Sequence, residues 1–224
     1  MLEQFSRLQL IVGEQSIETL SKKTVAIFGV GGVGGYVVEA LARSGVGHFV
    51  LIDNDKVCES NINRQILYTY KDIGLRKVEI AKERLLSINP DINVKTLDIK
   101  IDEESVKQIK ADFIVDAIDD VNGKIAIAKY ALENNIPFIV SLGMANRLDP
   151  SKVTITKLNK TTNDPLAKKI RYEFKKNNID VSKVITVFSN EDPVVDKGKL
   201  HSMMMVPSSA GLNIANFVIT YYKK

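Results

Sequence analysis

The 224-residue sequence predicts an α/β fold: a doubly wound, mostly parallel sheet with helices on both faces and antiparallel strands added by its C-terminal part. Three observations predict it. Residues 24–53, TVAIFGVGGVGGYVVEALARSGVGHFVLID, read as a buried strand, a glycine-rich turn, a helix and a second strand. Strand and helix signals then alternate to about residue 145, as successive βαβ units require. Beyond that point shorter strand signals surround one basic helix, so the regular alternation ends.

The N-terminal stretch carries Phe5, Leu8, Ile11 and Val12 at helical spacing before Gly13, with Ile17 and Leu20 after it, which predicts two short helices within residues 1–23. Residues 24–29 form the first strand. Gly29, Gly31, Gly32 and Gly34 then fall where a strand gives way to a helix expected over 35–44. Glycine there lets backbone amides approach a phosphate, and the helix start favours negative charge. A strand over 48–53 ends on Asp53, about twenty residues past the last glycine, where a carboxylate can accept from ribose hydroxyls. This is the Rossmann-like arrangement.

Further elements are expected as a helix over 74–87 with Val78, Ala81, Leu85 and Ile88 on its apolar side, a strand over 93–101, and a short helix over 102–110. A strand over 112–118 runs into the acid pair Asp119–Asp120, and strand ends are where open α/β sheets place ligands. A helix over 121–134 and a strand over 137–142 complete the core of residues 24–145. In 146–224 we expect strands over 153–157 and 184–188, a basic helix over 165–176, a polar loop over 189–200 and a final helix over 208–222. The whole is read as one domain of 1–224.

Composition narrows the class. With 45% hydrophobic and 26% charged residues the chain reads as an ordinary soluble globular protein, and no apolar run is long enough for a bilayer. A cytoplasmic location and no membrane partner are expected. The single cysteine, Cys58, excludes an internal disulfide and paired CxxC zinc sites. A net charge of +4 is mild and identifies no partner alone.

A dehydrogenase would account for the glycines and Asp53, but not for the charges at later strand ends. The NINRQ segment puts Asn61, Asn63, Arg64 and Gln65 in the loop after the ribose acid and Asp55; Lys77 follows on the next helix. Asp119 ends the fourth strand. Arginine and lysine neutralise a triphosphate, and a carboxylate can hold Mg²⁺ between phosphate oxygens, so ATP with Mg²⁺ on Asp119 is favoured.

Taken together, GVGGVG, the Asp53 strand end, NINRQ, the GLRK leading to Lys77, and DAIDD resemble the ubiquitin-activating-enzyme-like adenylating superfamily over residues 1–145. QFSR, ending in Arg7, resembles its N-terminal arginine motif. The resemblance implies an adenylating enzyme in which Arg7, Arg64, Lys77 and Asp119 act on the triphosphate, and a homodimer in which Arg7 serves the other subunit's site. Segments 41–65, 163–176 and 206–219 are similar to the branch acting on threonylcarbamoyladenosine in tRNA. That implies tRNA, bound at its anticodon region, as substrate, and sulfur-relay proteins as further partners. The alternative is an activator of a small sulfur-carrier protein, which would bind a Gly-Gly tail rather than RNA.

The basic helix places Lys168, Lys169, Arg171, Lys175 and Lys176 along one broad side, either a solvated face or a contact for RNA phosphates. Cys58, His48 and His201 read as structural residues, Met203–Met205 as strand or core filling, and Asp120 as a helix cap.

Overall fold

The structure is a computed structural model and describes residues 3–194 and 201–223. Positions 195–200, with the lysines expected in the polar loop, lie outside the described residues. Helices α1 (Ser6–Val12) and α2 (Glu14–Ser21) precede strand β1 (Thr24–Phe28), helix α3 (Gly34–Ala42) and strand β2 (His48–Ile52). Then follow α4 (Lys77–Ile88), β3 (Asn93–Leu97), β4 (Phe113–Asp116), α5 (Val121–Glu133) and β5 (Phe138–Ser141). The chain continues through β6 (Val153–Lys157), α6 (Pro165–Lys176), β7 (Ile185–Ser189) and α7 (Met205–Tyr222).

These seven strands form one sheet in the order β3-β2-β1-β4-β5-β7-β6. Six run parallel; only the edge strand β6, paired antiparallel with β7, runs the other way. The predicted C-terminal antiparallel pairing is present, and β7 itself joins the parallel set through β5. Register decides what sits together: Phe28 lies opposite both Ile52 and Asp116, so the segments leaving β1, β2 and β4 emerge side by side.

Alternation along the strands builds two apolar layers. Val25 and Ile27 of β1, Phe49 and Leu51 of β2, and Phe113 and Val115 of β4 face α3, α4 and α7, which bury Leu41, Leu85 and Ile214 among them. Ala26, Phe28, Val50 and Ile114 point the other way, onto α5 and α6 through Ile127, Ile170 and Phe174.

Several elements are shorter than their sequence signals, among them β4, which ends at Asp116 and leaves Asp119 in the turn beyond it. β3 stops at Leu97 because its partner β2 ends at Ile52, with which Leu97 pairs. The expected helix over 102–110 is a single 3-10 turn, Ser105–Gln108. α4 begins at Lys77 because Gly74 has φ +88° and Arg76 is extended, bridging antiparallel to Lys56. Met204 and Met205, expected as core, are exposed, since the first buried positions of α7 are Val206 and Pro207.

Glu39 of α3 accepts Arg84 of α4 in a two-pronged contact at 2.9 Å and Arg43 one turn on at 2.7 Å. Burial pushes its carboxyl up, but the hydrogen bonds from Arg84 and Arg43 overcome that and hold it below the ordinary glutamate range. Its contribution to stability is therefore complete above the unfolded glutamate value of about 4.3 and is lost as pH falls through the lower folded value. With both arginines partly exposed, Glu39→Gln is expected to lower stability by about 1–2 kcal/mol at neutral pH. Urea unfolding should show that difference shrinking below about pH 4.

Candidate nucleotide site

The site grows from the three strand ends that register places together. Gly29 closes β1 with φ +85°, its N–H donating to the Ile52 carbonyl at 2.7 Å, and an added Cβ would lie 2.8 Å from the Ala117 oxygen after β4. Gly34 is tighter: a Cβ would stand 1.8 Å from the Gly29 carbonyl oxygen. Glycine at these two positions is demanded by the protein itself. Gly31 and Gly32 differ, because nothing lies within 3.7 Å of a Cβ there, and the nearest atoms are the side chains of Gln65 and Arg64. Among the described residues, the amides of Gly31, Gly32 and Val33 have no acceptor, and α3 begins without a side-chain cap. Three unsatisfied N–H groups at a helix start can hold an anion.

Asp53 locks this loop to β2, accepting from the Val30 amide through Oδ2 and from the Asp55 amide through Oδ1, both at 2.9 Å. Each oxygen keeps a further lone pair for a ligand hydroxyl. From the other side, the buried Tyr68 hydroxyl donates to the Val30 carbonyl at 2.8 Å. Burial, with Asp53, Asp55 and Asp72 nearby, pushes that hydroxyl far above its ordinary value, so it stays a donor.

The NINRQ loop supplies the opposite wall. Asn61 accepts from the Cys58 amide at 3.1 Å, and Asn63 donates to the Ser202 carbonyl at 2.9 Å, joining this loop to the segment before α7. Arg64 donates to the Ser60 carbonyl at 2.7 Å and to Asn63 Oδ1 at 3.0 Å. Among the described residues it has no carboxylate partner. Its charge is available. Gln65 is buried beside Gly31, its Oε1 without a hydrogen-bond partner.

Lys77 is buried and pairs with the exposed Asp55 at 2.7 Å. Asp119 is exposed after β4 and has no ion pair among the described residues, while Asp120 caps α5 by accepting from the Gly123 amide at 2.7 Å. Arg7 is not brought to this cluster by its own chain. The segment ahead of α1 packs its Phe5 side chain near Gly45, before the start of β2 and so at the opposite end of the strands. Arg171, read as part of the basic side, is tied back to the Thr161 carbonyl and hydroxyl.

Sequence reasoning missed a pair beneath the site. Lys124 and Asp116 are both fully buried, 2.8 Å apart, with the ammonium also donating to the Ser141 carbonyl at the end of β5. Burial pushes the Asp116 carboxyl up against the opposing pull of Lys124. Asp116 Oδ1 also accepts from the Ile118 amide at 3.3 Å, fixing the turn that carries Asp119. A signal existed: Lys124 shares the helical face of Ile127, Ala128 and Ala131, an apolar stripe where a lysine must find a buried partner.

The profile of the ThiF family matches residues 3–194. This chain belongs to the ThiF family. Among curated ThiF-like relatives it is 40% identical over 223 residues to the tRNA threonylcarbamoyladenosine dehydratase of Bacillus subtilis, covering 93% of this chain and 87% of that one. It is 34% identical to the enzyme of the same name from Haemophilus influenzae, over 96% of this chain and 84% of that one. The crystal structure of the E. coli tRNA N6-threonylcarbamoyladenosine dehydratase in complex with ATP superposes with a TM-score of 0.93 at 32% identity, covering 98% of this chain and 93% of that one. The AMP complex of the same enzyme superposes equally well.

Gly34→Ala, which forces backbone apart, is expected to lower stability by at least about 2 kcal/mol, whereas Gly31→Ala and Gly32→Ala should stay within about 0.5 kcal/mol of wild type. Thermal unfolding of the three variants checks this. Lys124→Met strands a buried carboxylate and should cost about 3–5 kcal/mol, and adding Asp116→Val should recover most of it.

Proposed function

We propose that this protein is an ATP-dependent tRNA-modifying enzyme that adenylates the carboxylate of N6-threonylcarbamoyladenosine and promotes its dehydrative cyclisation. The observation that carries the reading is the cradle of three amides beside an arginine, the amides without an acceptor and the arginine without a counterion among the described residues, at adjoining strand ends. Relatives bearing the dehydratase name supply the substrate.

In the first step a carboxylate oxygen of the modified base attacks the α-phosphorus of ATP. The bond from that phosphorus to the bridging oxygen breaks, and pyrophosphate leaves. An internal atom of the modification then attacks the activated carbonyl carbon, loses its proton and expels AMP, closing a ring. The net change is loss of one water. No enzyme nucleophile is needed, which agrees with the exposed, undistinguished setting of Cys58.

This chain's residues do the positioning and charge stabilisation. The amides of Gly31, Gly32 and Val33 receive phosphate oxygens, and Asp53 accepts from the ribose. Arg64 neutralises charge developing on the α-phosphate and the leaving pyrophosphate. Lys77 joins it, oriented by Asp55. Asn61 and Asn63 hold the loop in place, and the Gln65 acceptor faces the glycine turn. Among the described residues no group of three metal-ligating side chains exists, so an all-protein metal cage is absent. One carboxylate with phosphate oxygens is the way magnesium is commonly bound, and Asp119 fits it. Bound there, Mg²⁺ would draw negative charge from the phosphates. Because Arg7 is remote from its own cradle, the reading includes a homodimer in which it serves the second copy's nucleotide. No helix among the described residues is long and apolar enough to cross a membrane, and the proposed place of action is the cytoplasm.

ATP–pyrophosphate exchange with modified tRNA, unmodified tRNA and no RNA tests the proposal, followed by nucleoside mass analysis. Exchange that needs the modified tRNA, with a product lighter by one water, is expected; ATP binding without either would sink the reading. Gly31→Ala and Gly32→Ala should weaken ATP binding while leaving the fold intact. Arg64→Ala and Asp119→Ala should each lower kcat/KM by about 10²–10³-fold. Mixing Arg7→Ala with Arg64→Ala subunits should restore about a quarter of wild-type activity, since only the mixed dimer has one complete site.

A further inference from the structure

The mild net charge of the chain conceals an uneven distribution. Residues 151–190 hold nine basic against three acidic side chains, leaving the rest of the chain slightly negative. Among the described residues every ion pair falls between Lys23 and Lys129, so none neutralises this region.

Helix α6 organises the excess. Its inner side, Ala167, Ile170 and Phe174, is fully buried. At 3.6 residues per turn, Lys168, Lys169, Tyr172, Lys175 and Lys176 fall within an arc of about 120° on the opposite side, with Tyr172 at its middle. Tyr172 is 66% exposed, and its hydroxyl has no partner among the described residues. Glu173, the helix's one carboxylate, lies one turn from Lys169 and Lys176, but it sits outside the arc, partly buried, and forms no ion pair among the described residues.

The helix is also aimed. Asp164 caps it by accepting from the Leu166 and Ala167 amides, and the same carboxylate accepts from the Gly143 amide just beyond β5 at 3.2 Å. The buried Arg147 donates to the carbonyls of Gly143 and Asn163, closing that joint. The first turn of α6 therefore starts at the edge of the sheet where the glycine turn and Asp119 emerge.

We propose that the outer face of α6 docks the substrate RNA, with Tyr172 stacking on an unpaired base and the flanking lysines neutralising phosphates on either side. An aromatic platform set among lysines is the chemistry that holds single-stranded nucleic acid. A loop of tRNA presents both unstacked bases and closely spaced phosphates. The inference rests on the tRNA-modifying reading above and names the surface that reading requires.

Fluorescence anisotropy with modified tRNA, in the absence of ATP, tests it. Tyr172→Ala should weaken binding about tenfold and Tyr172→Phe less than about twofold, because stacking needs the ring and not the hydroxyl. The paired changes Lys168→Glu with Lys169→Glu, and Lys175→Glu with Lys176→Glu, should each flatten the dependence of log affinity on log salt by about 0.7 for each phosphate that is no longer neutralised. ATP affinity, read by calorimetry, should be unchanged in all four. Unchanged tRNA affinity and salt slope in these variants would overturn the assignment, as would loss of binding to an acidic protein with tRNA binding intact. Binding is read without turnover, so a protein that holds tRNA at α6 but never dehydrates it would refute the proposed function and leave this surface standing.

Discussion

The contact between the Cα of Gly34 and the carbonyl of Gly29 is the constraint on which the rest depends. It lets α3 start with only five residues between it and the end of β1, an inner strand of the sheet, instead of after a longer loop. That short connection leaves the amides of 31–33 without an acceptor among the described residues. Asp53 and Tyr68 then grip Val30 from its two polar ends, amide and carbonyl, so the turn is held by β2 and by the segment before α4 alike. A preformed cradle costs little to organise when a ligand arrives, which is how rigid sites gain affinity.

Charges in this molecule fall into closed and open sets. Glu39 with its two arginines and Asp116 with Lys124 are closed: each carboxylate is matched by cations of its own chain, and they join elements. Arg64 and Asp119 are open, one cationic and one anionic, with no ionic partner in the chain among the described residues. Lys77 stands between, buried but held by an exposed carboxylate. Closed pairs tolerate burial because their mutual attraction offsets desolvation. Open charges tolerate only the rim of the site, and that is where the fold leaves them.

Much of this was legible in the sequence because it is local. The glycine spacing, the acid at the end of β2 and the alternation of elements are written within stretches of a few tens of residues, and the strand-end rule converts them into a site. What was not legible depends on partners distant in the chain. The sequence around 97 continues to look like strand, and only the end of β2 stops it. That β7 would slot beside β5 while β6 turned back at the edge required knowing how a parallel and an antiparallel neighbour share one strand. Arg7 and Arg171 carry the same charge as Arg64, yet one belongs to a segment packed at the far end of the strands and the other is occupied by Thr161. Residue type named the candidates for the site; tertiary placement sorted them.

Pro207, at the start of α7, comes within 3.8 Å of where a Cβ on Gly32 would sit, and the same helix packs beside α3 on the sheet, burying Val206, Ala210 and Ile214. Asn63 is likewise tethered to Ser202, just ahead of that helix. A ribosome making this protein therefore delivers the glycine turn long before the pieces that steady it. With synthesis running at roughly 5–20 residues per second, some ten to thirty seconds separate the two. During that interval α3 shows water an apolar surface, so the nascent chain is most exposed to chaperones and to misassembly while its best-recognised motif is already complete.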